Sequence, residues 1–181
     1  MSKTKIINLL GGPGCGKSTF SGLIYAELKL KGKTVEYVQE FAKNLVWLKE
    51  FETLNNQHYV SQCQYKLLKS INDTNEIDYI VTDGSLLHGL YYNRYNTENL
   101  SNVEKTEKLI LKYYSEFKNI NIFLKRGKFE YEQAGRIQNL EEAREIDYAL
   151  KKILDELKIE YIEMDSDKSK LPEILEYIIN M

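Results

Sequence analysis

The sequence predicts an α/β domain of three layers, in which a five-stranded parallel sheet carries helices on both faces. Two observations point there. Short apolar runs, each bounded by glycine or polar residues, alternate with longer stretches of helical periodicity, which is the pattern of strand-helix-strand units. A glycine-rich octet, Gly11-Gly12-Pro13-Gly14-Cys15-Gly16-Lys17-Ser18, joins the first apolar run to the first helical stretch. With 181 residues and 43% hydrophobic content, the chain is expected to form one compact domain over 1–181.

The strands are read first. Residues Lys5–Leu10, 34–39, 78–82, 121–124 and 160–164 are rich in Ile, Val, Tyr or Phe, as buried parallel strands are. The first helix runs from Lys17 to Lys31 and stops at Gly32, a residue suited to the left-handed turn past a helix end. Between the second and third strands, Phe41, Leu45 and Leu48 mark a short helix. Val60, Cys63, Leu67 and Ile71 mark a longer one. These form a helical, acceptor-binding insertion over about 41–75. Ser101 with Glu104, and Asn139 with Glu142, read as capping boxes. The second box opens the clearest amphipathic pattern, with Leu140, Ala143, Ile146, Leu150, Ile153 and Leu157 on one face. A last helix begins near Pro172. Residues 127–138 carry no apolar periodicity, so about 126–139 reads as a lid.

Composition narrows the function classes. The 25 basic and 27 acidic residues are spread along the chain, so no basic stripe advertises a nucleic-acid groove. No apolar run approaches the length of a membrane span. Two cysteines, Cys15 and Cys63, lack metal-ligand spacing, and Cys15 lies inside the glycine-rich loop. The expectation is a cytoplasmic protein, monomeric or homodimeric.

The octet fits G-x-x-x-x-G-K-S between a strand and a helix, the context that distinguishes a phosphate loop from a chance match. Backbone N–H groups of Gly12, Gly14, Cys15 and Gly16 are expected to converge on phosphates at the helix N-terminus. Lys17 is expected to reach the β- and γ-phosphates of ATP, Ser18 to ligate Mg²⁺, and Thr19 to hold the α-phosphate or cap the helix.

Two carboxylates stand at strand ends. Asp83 closes the third strand, where it is read as the metal-side acid, with a helix N-cap as the plainer alternative. No glutamate follows it, which turns the reading from hydrolysis toward transfer. Glu40 closes the second strand and is read as a general base for an attacking hydroxyl, or as a solvated helix-start residue.

Only Arg94, Arg126, Arg136 and Arg144 are arginines, so each marks a place where lysine would not serve. Arg136, beside a possible hinge at Gly135, is the expected catalytic arginine of the lid. Arg126 is expected against the adenine ring, and Arg144 in support of either; surface ion pairs with Glu130, Glu132 and Glu141 are the alternative. Trp47, His58, Gln62, His88, Tyr91 and Arg94 are expected to line the acceptor pocket, with Tyr59 and Tyr92 nearby, although aromatic residues at helical spacing are commonly core.

The motifs GGPGCGKST at 11–19, Glu40, YIVTDGSLL at 79–87, FLKRGKFEYEQAGRIQ at 123–138 and EEAREIDYALKKILDEL at 141–157 together resemble the kinase branch of P-loop proteins. They are most similar to the group related to ribosylnicotinamide kinase, which includes many small bacteriophage-encoded kinases and is grouped with AAA-type ATPases. The resemblance implies a P-loop NTPase fold of the nucleoside and nucleotide kinase type. It implies ATP and Mg²⁺ on Lys17, Ser18 and Asp83, a base at Glu40, and lid residues at Arg126 and Arg136. One departure is Gly84, where many such kinases carry an arginine. The expected function is therefore transfer of the γ-phosphate of ATP to a hydroxyl of a nucleoside-like small molecule, ribosylnicotinamide or a nucleoside. A nucleoside monophosphate kinase served by Arg94, a phage kinase acting on a modified base or end in DNA, and a regulatory P-loop NTPase are the alternatives.

Overall fold

The computed structural model describes residues 3–128 and 130–181. Among these residues, β1 (Lys5–Leu10), β2 (Val35–Val38), β3 (Tyr79–Thr82), β4 (Lys118–Lys125) and β5 (Ile162–Asp165) form one sheet in the order β2-β3-β1-β4-β5. Every pairing is parallel. All strand C-termini therefore open on one edge, where the phosphate loop leaves β1.

The three layers follow from the two-residue period of the strands. Ile7 and Leu9 of β1 point to one face, where α1 (Lys17–Leu30) and α8 (Leu171–Asn180) bring Phe20, Ile24, Leu28, Ile174 and Ile178. Ile6 and Leu10 point to the other. There they meet Leu68 of α4 (Gln57–Asn72), Leu87 and Leu90 of α5 (Leu86–Tyr95), Ile110 of α6 (Val103–Ser115), and Leu150, Ile153 and Leu154 of α7 (Leu140–Glu156). The expected helical insertion is α2 (Phe41–Leu48), a short α3 (Phe51–Asn55) that the periodicity did not announce, and α4.

β5 starts two residues later than expected, at Ile162, and three further assignments differ from expectation for local reasons. β4 starts earlier than 121 because Asn119 and Asn121, polar in sequence, are paired inside the sheet. Asn8 Nδ2 donates to Asn119 Oδ1 at 3.0 Å and Asn121 Oδ1 at 3.1 Å, and Asn121 Nδ2 donates to Tyr114 Oη at 2.6 Å. Satisfied amides are admissible where unpaired ones are not. The cap of α6 is Asn102, which accepts from Lys105 N at 2.9 Å, whereas Ser101 donates to Asn99. The box at Asn139 and Glu142 forms in both directions. Lastly, α5 is capped by Ser85, whose Oγ accepts from Leu87 N, so Asp83 is not its cap.

Removing the α6 cap with Asn102→Ala is expected to lower stability by about 1 kcal/mol, read from urea unfolding.

Candidate active site

A cleft of about 760 Å³ opens above the strand C-termini, lined by the phosphate loop, the ends of β2 and β3, the insertion, α5 and the lid. Its floor is the N-terminus of α1. Like α2, α3 and α8, α1 has no side-chain cap, but it alone of these begins at a left-handed glycine, Gly16 with φ 100°, at the end of the glycine-rich loop. Its first-turn N–H groups are thus left to the cleft, the arrangement that receives an anion. Lys17 Nζ bends over the loop and donates to the carbonyls of Gly11 at 2.8 Å and Gly12 at 2.9 Å.

Asp83, almost fully buried, joins two strand ends. Ser18 Oγ donates to its Oδ2 at 2.6 Å, and the backbone N–H of Glu40 donates to its Oδ1 at 3.1 Å. A hydroxyl and a carboxylate held side by side suit Mg²⁺, which takes one or two protein oxygens and completes its shell with phosphates and water. Among the described residues, no group of three or more His, Cys, Asp or Glu side chains forms a self-sufficient metal cage.

Glu40 lies between Lys17, Asp83 and Lys43. Burial pushes its carboxyl above the usual range, Asp83 adds to the rise, and Lys17 opposes it. The backbone comes so close to β3 that a Cβ at position 84 would overlap Glu40 Cα. An arginine cannot be accommodated beside Glu40, and Gly84 is what the crossing requires.

The lid segment touches both sides of the cleft. Tyr131 lies against Gly14, and its hydroxyl donates to Gln138 O at 2.6 Å. The Arg136 guanidinium sits 5.3 Å from the centre of that ring and 3.6 Å from Glu132. Arg136 Nη1 is buried with no hydrogen-bond partner, and Arg136 lines the cleft. Gly135, at φ +72°, fits under the indole of Trp47, where any Cβ would collide. Phe129, part of the segment read as a lid, lies outside the described residues.

Several expected contacts are placed elsewhere. Arg126 does not face a base site: it donates to Asp147 at 2.6 Å, to Pro13 O at 2.7 Å and to Ala143 O at 2.8 Å. Asp147 in turn accepts the N–H of Gly12 at 2.5 Å, so that amide is committed to α7 and not to a phosphate. Asp147 escaped the sequence reading because no local spacing links it to the loop. Cys15 turns its thiol into the core, and burial pushes that thiol up. Arg94 is held by Glu107 at 2.7 and 2.9 Å and by Glu156 at 2.9 Å, outside the cleft lining. Arg144 is exposed on α7. His58 and Gln62 face away from the cleft. His58 Nδ1 contacts Thr106 at 3.2 Å, and Gln62 contacts His58 at 3.5 Å. The same helix presents Gln57, Ser61 and Gln64 instead, all buried and lining the cleft. Lys17, Ser18, Thr19, Glu40, Trp47, His88, Tyr91 and Arg136 are brought together around it, with Tyr92 between them.

Asp147→Asn is expected to weaken ATP binding about tenfold in calorimetry, since it removes the charge from a hydrogen bond that holds Gly12.

Comparison with known proteins agrees with this architecture. A family described as AAA domain matches residues 6–170. No curated protein matches the chain. Among solved structures, NadR in complex with NAD and AMP-PNP superposes with a TM-score of 0.69 at 13% identity, over 98% of this chain and 49% of NadR. This chain thus spans about half the length of that protein. Deoxyadenosine kinase from M. mycoides, solved with product dCMP and a flexible dCDP bound, gives 0.62 at 17% identity over 97% of this chain and 100% of that one. The APS kinase CysC of Mycobacterium tuberculosis, as a Cys556Ala mutant, gives 0.50 at 14% identity, over 99% and 97% of the two chains. These likenesses establish the α/β fold shared with P-loop kinases, and by the match over 6–170 the chain belongs to the AAA-domain family.

Proposed function

We propose that this protein is an ATP- and Mg²⁺-dependent kinase that transfers the γ-phosphate to a hydroxyl of an unphosphorylated, nucleoside-like small molecule, such as ribosylnicotinamide or a nucleoside. The observation that carries the reading is the single cleft in which Lys17, Ser18 and the uncapped start of α1 lie at one end and Glu40, Tyr91 and Tyr92 line the same space. A hydrolase would need no such second half.

The roles follow from placement. Backbone N–H groups of the loop and the Lys17 ammonium neutralise the triphosphate. Ser18 and Asp83 would hold Mg²⁺, which would supply positive charge to offset that of the phosphates. Glu40, with its raised proton affinity, accepts the proton of the attacking hydroxyl as the new O–P bond forms and the bond to ADP breaks. Division of labour is kept because Asp83 is engaged with Ser18 and with the Glu40 backbone. Arg136, whose buried Nη1 has the Glu132 carboxylate 3.6 Å away but no hydrogen-bond partner, is the lid cation for the transferring phosphoryl group.

Charge in the acceptor half supports an unphosphorylated acceptor. Arg94, the expected clamp for a monophosphate, is bound to Glu107 and Glu156, and position 84 excludes an arginine. Glu98, Glu142 and Glu145 line the cleft beside Tyr91 and Tyr95, a rim that repels a second phosphate. The fold of the solved structures, one with AMP-PNP and NAD and one with nucleotide products, accords with this reading.

The test is an ATP-to-ADP assay against ribosylnicotinamide, nucleosides, nucleoside monophosphates and hydroxymethylated DNA, with Lys17→Ala as the inactive control. Acceptor-stimulated turnover is expected with the unphosphorylated nucleoside class only; equal turnover without any acceptor would sink the proposal. Glu40→Gln is expected to lower kcat by about 10²–10⁴-fold. In the wild type, activity should rise with pH through the Glu40 ionisation, because only the carboxylate accepts a proton. That acid limb should lie above the ordinary carboxylate range and be missing from Glu40→Gln.

A further inference from the structure

His88 is in the first turn of α5 and is buried to 7% exposure, yet it lines the cleft. The carbonyls of Gly11 and Ser85 lie near the ring, but neither ring nitrogen reaches a hydrogen-bond partner in good geometry. Protein interiors seldom leave a buried polar group unmatched, because each such group costs about 1–3 kcal/mol. Of the two histidines in the chain, the other, His58, has partners in Thr106 and Gln62. His88 is therefore the histidine whose hydrogen-bonding capacity is directed at whatever enters the cleft.

Its protonation narrows the class of that ligand. Burial first, and the nearby Lys17 ammonium second, push the imidazole down to about 3, against the smaller upward pull of the Gly11 and Ser85 carbonyls. The ring is thus neutral near pH 7 and offers one donor and one acceptor. Phosphate oxygens only accept, and they already have the loop amides, Lys17 and Arg136. A neutral imidazole is matched by a group that both donates and accepts, and an alcohol is such a group. The surrounding wall fits the same chemistry: α4 and α5 approach so closely that a Cβ on Gly89 would lie 3.0 Å from Ser61 Oγ, and Ser61 and Gln57 line the cleft alongside His88.

We propose that His88 is a specificity-determining residue of the cleft, whose imidazole hydrogen-bonds a hydroxyl of the acceptor. The assignment rests on the kinase reading above and adds to it the feature by which an acceptor is chosen. A site with a buried polar group discriminates strongly against analogues that lack the matching hydroxyl, because the group is then left unpaired.

Two measurements test it. With only two histidines, long-range ¹H–¹⁵N spectra of the wild type contain two imidazole patterns, assigned with His58→Asn. Adenosine, thymidine and ribosylnicotinamide are added singly, each with and without AMP-PNP and Mg²⁺. The His88 nitrogens are expected to shift with at least one nucleoside and not with AMP-PNP alone. A shift with AMP-PNP alone, or none with any nucleoside, overturns the proposal. In turnover, His88→Phe is expected to raise KM for the acceptor about tenfold or more while KM for ATP stays within about twofold, and His88→Gln to recover part of the loss. Equal rises in both KM values, or wild-type behaviour of both variants, also overturn it. If a nucleoside moves the His88 resonances but no acceptor stimulates turnover, the kinase reading fails and His88 stands. Stimulated turnover with silent His88 resonances means the reverse.

Discussion

One carboxylate holds the cleft together. Asp83 accepts from the Ser18 hydroxyl with one oxygen and from the Glu40 backbone with the other, and it does so almost fully out of water. A buried carboxylate is tolerated only when such donors are present, so each donor is effectively fixed in place by the cost of leaving the acid unmatched. Three chain segments, the start of α1, the end of β2 and the end of β3, are thereby kept within hydrogen-bond reach. The absence of a side chain at Gly84 is the steric counterpart of that convergence.

A second brace acts from the opposite side of the phosphate loop. Arg126 and Asp147 carry 15% and 18% side-chain exposure, and between them they bind Pro13 O, Ala143 O and Gly12 N. An isolated ion pair on a surface would contribute little, but here the charges also satisfy backbone groups of the loop and of α7. The loop is thus held in shape by α7 before any phosphate arrives, which limits the ordering that binding must supply.

Much of the fold was legible because its causes are local. Apolar runs and caps mark the strands and most helices, and the octet at 11–18 announces both a turn and a chemistry. Glu40 and Asp83 were legible by their position at strand ends. What escaped depends on distant partners. The periodicity of α4 announces a helix but not its rotation, since Val60 and Leu68 are buried while Leu67 is exposed; His58 and Gln62 therefore fall behind the cleft and Gln57, Ser61 and Gln64 within it. An arginine is equally able to bind phosphate or carboxylate, and only the tertiary neighbours distinguish Arg136 from Arg94 and Arg126. The paired amides of Asn8, Asn119 and Asn121 hid the start of β4, because a polar pattern conceals a strand whose polar groups satisfy one another.

The contact of Trp47 with Gly135 has a further consequence. The indole is the only one in the chain, and it rests where the insertion after β2 meets the segment that follows β4. The ring is 60% exposed and has Gly135 against its face, so its surroundings depend on that contact. The molecule therefore carries an intrinsic optical reporter at the seam of its own cleft, one residue whose emission would register any separation of the two segments.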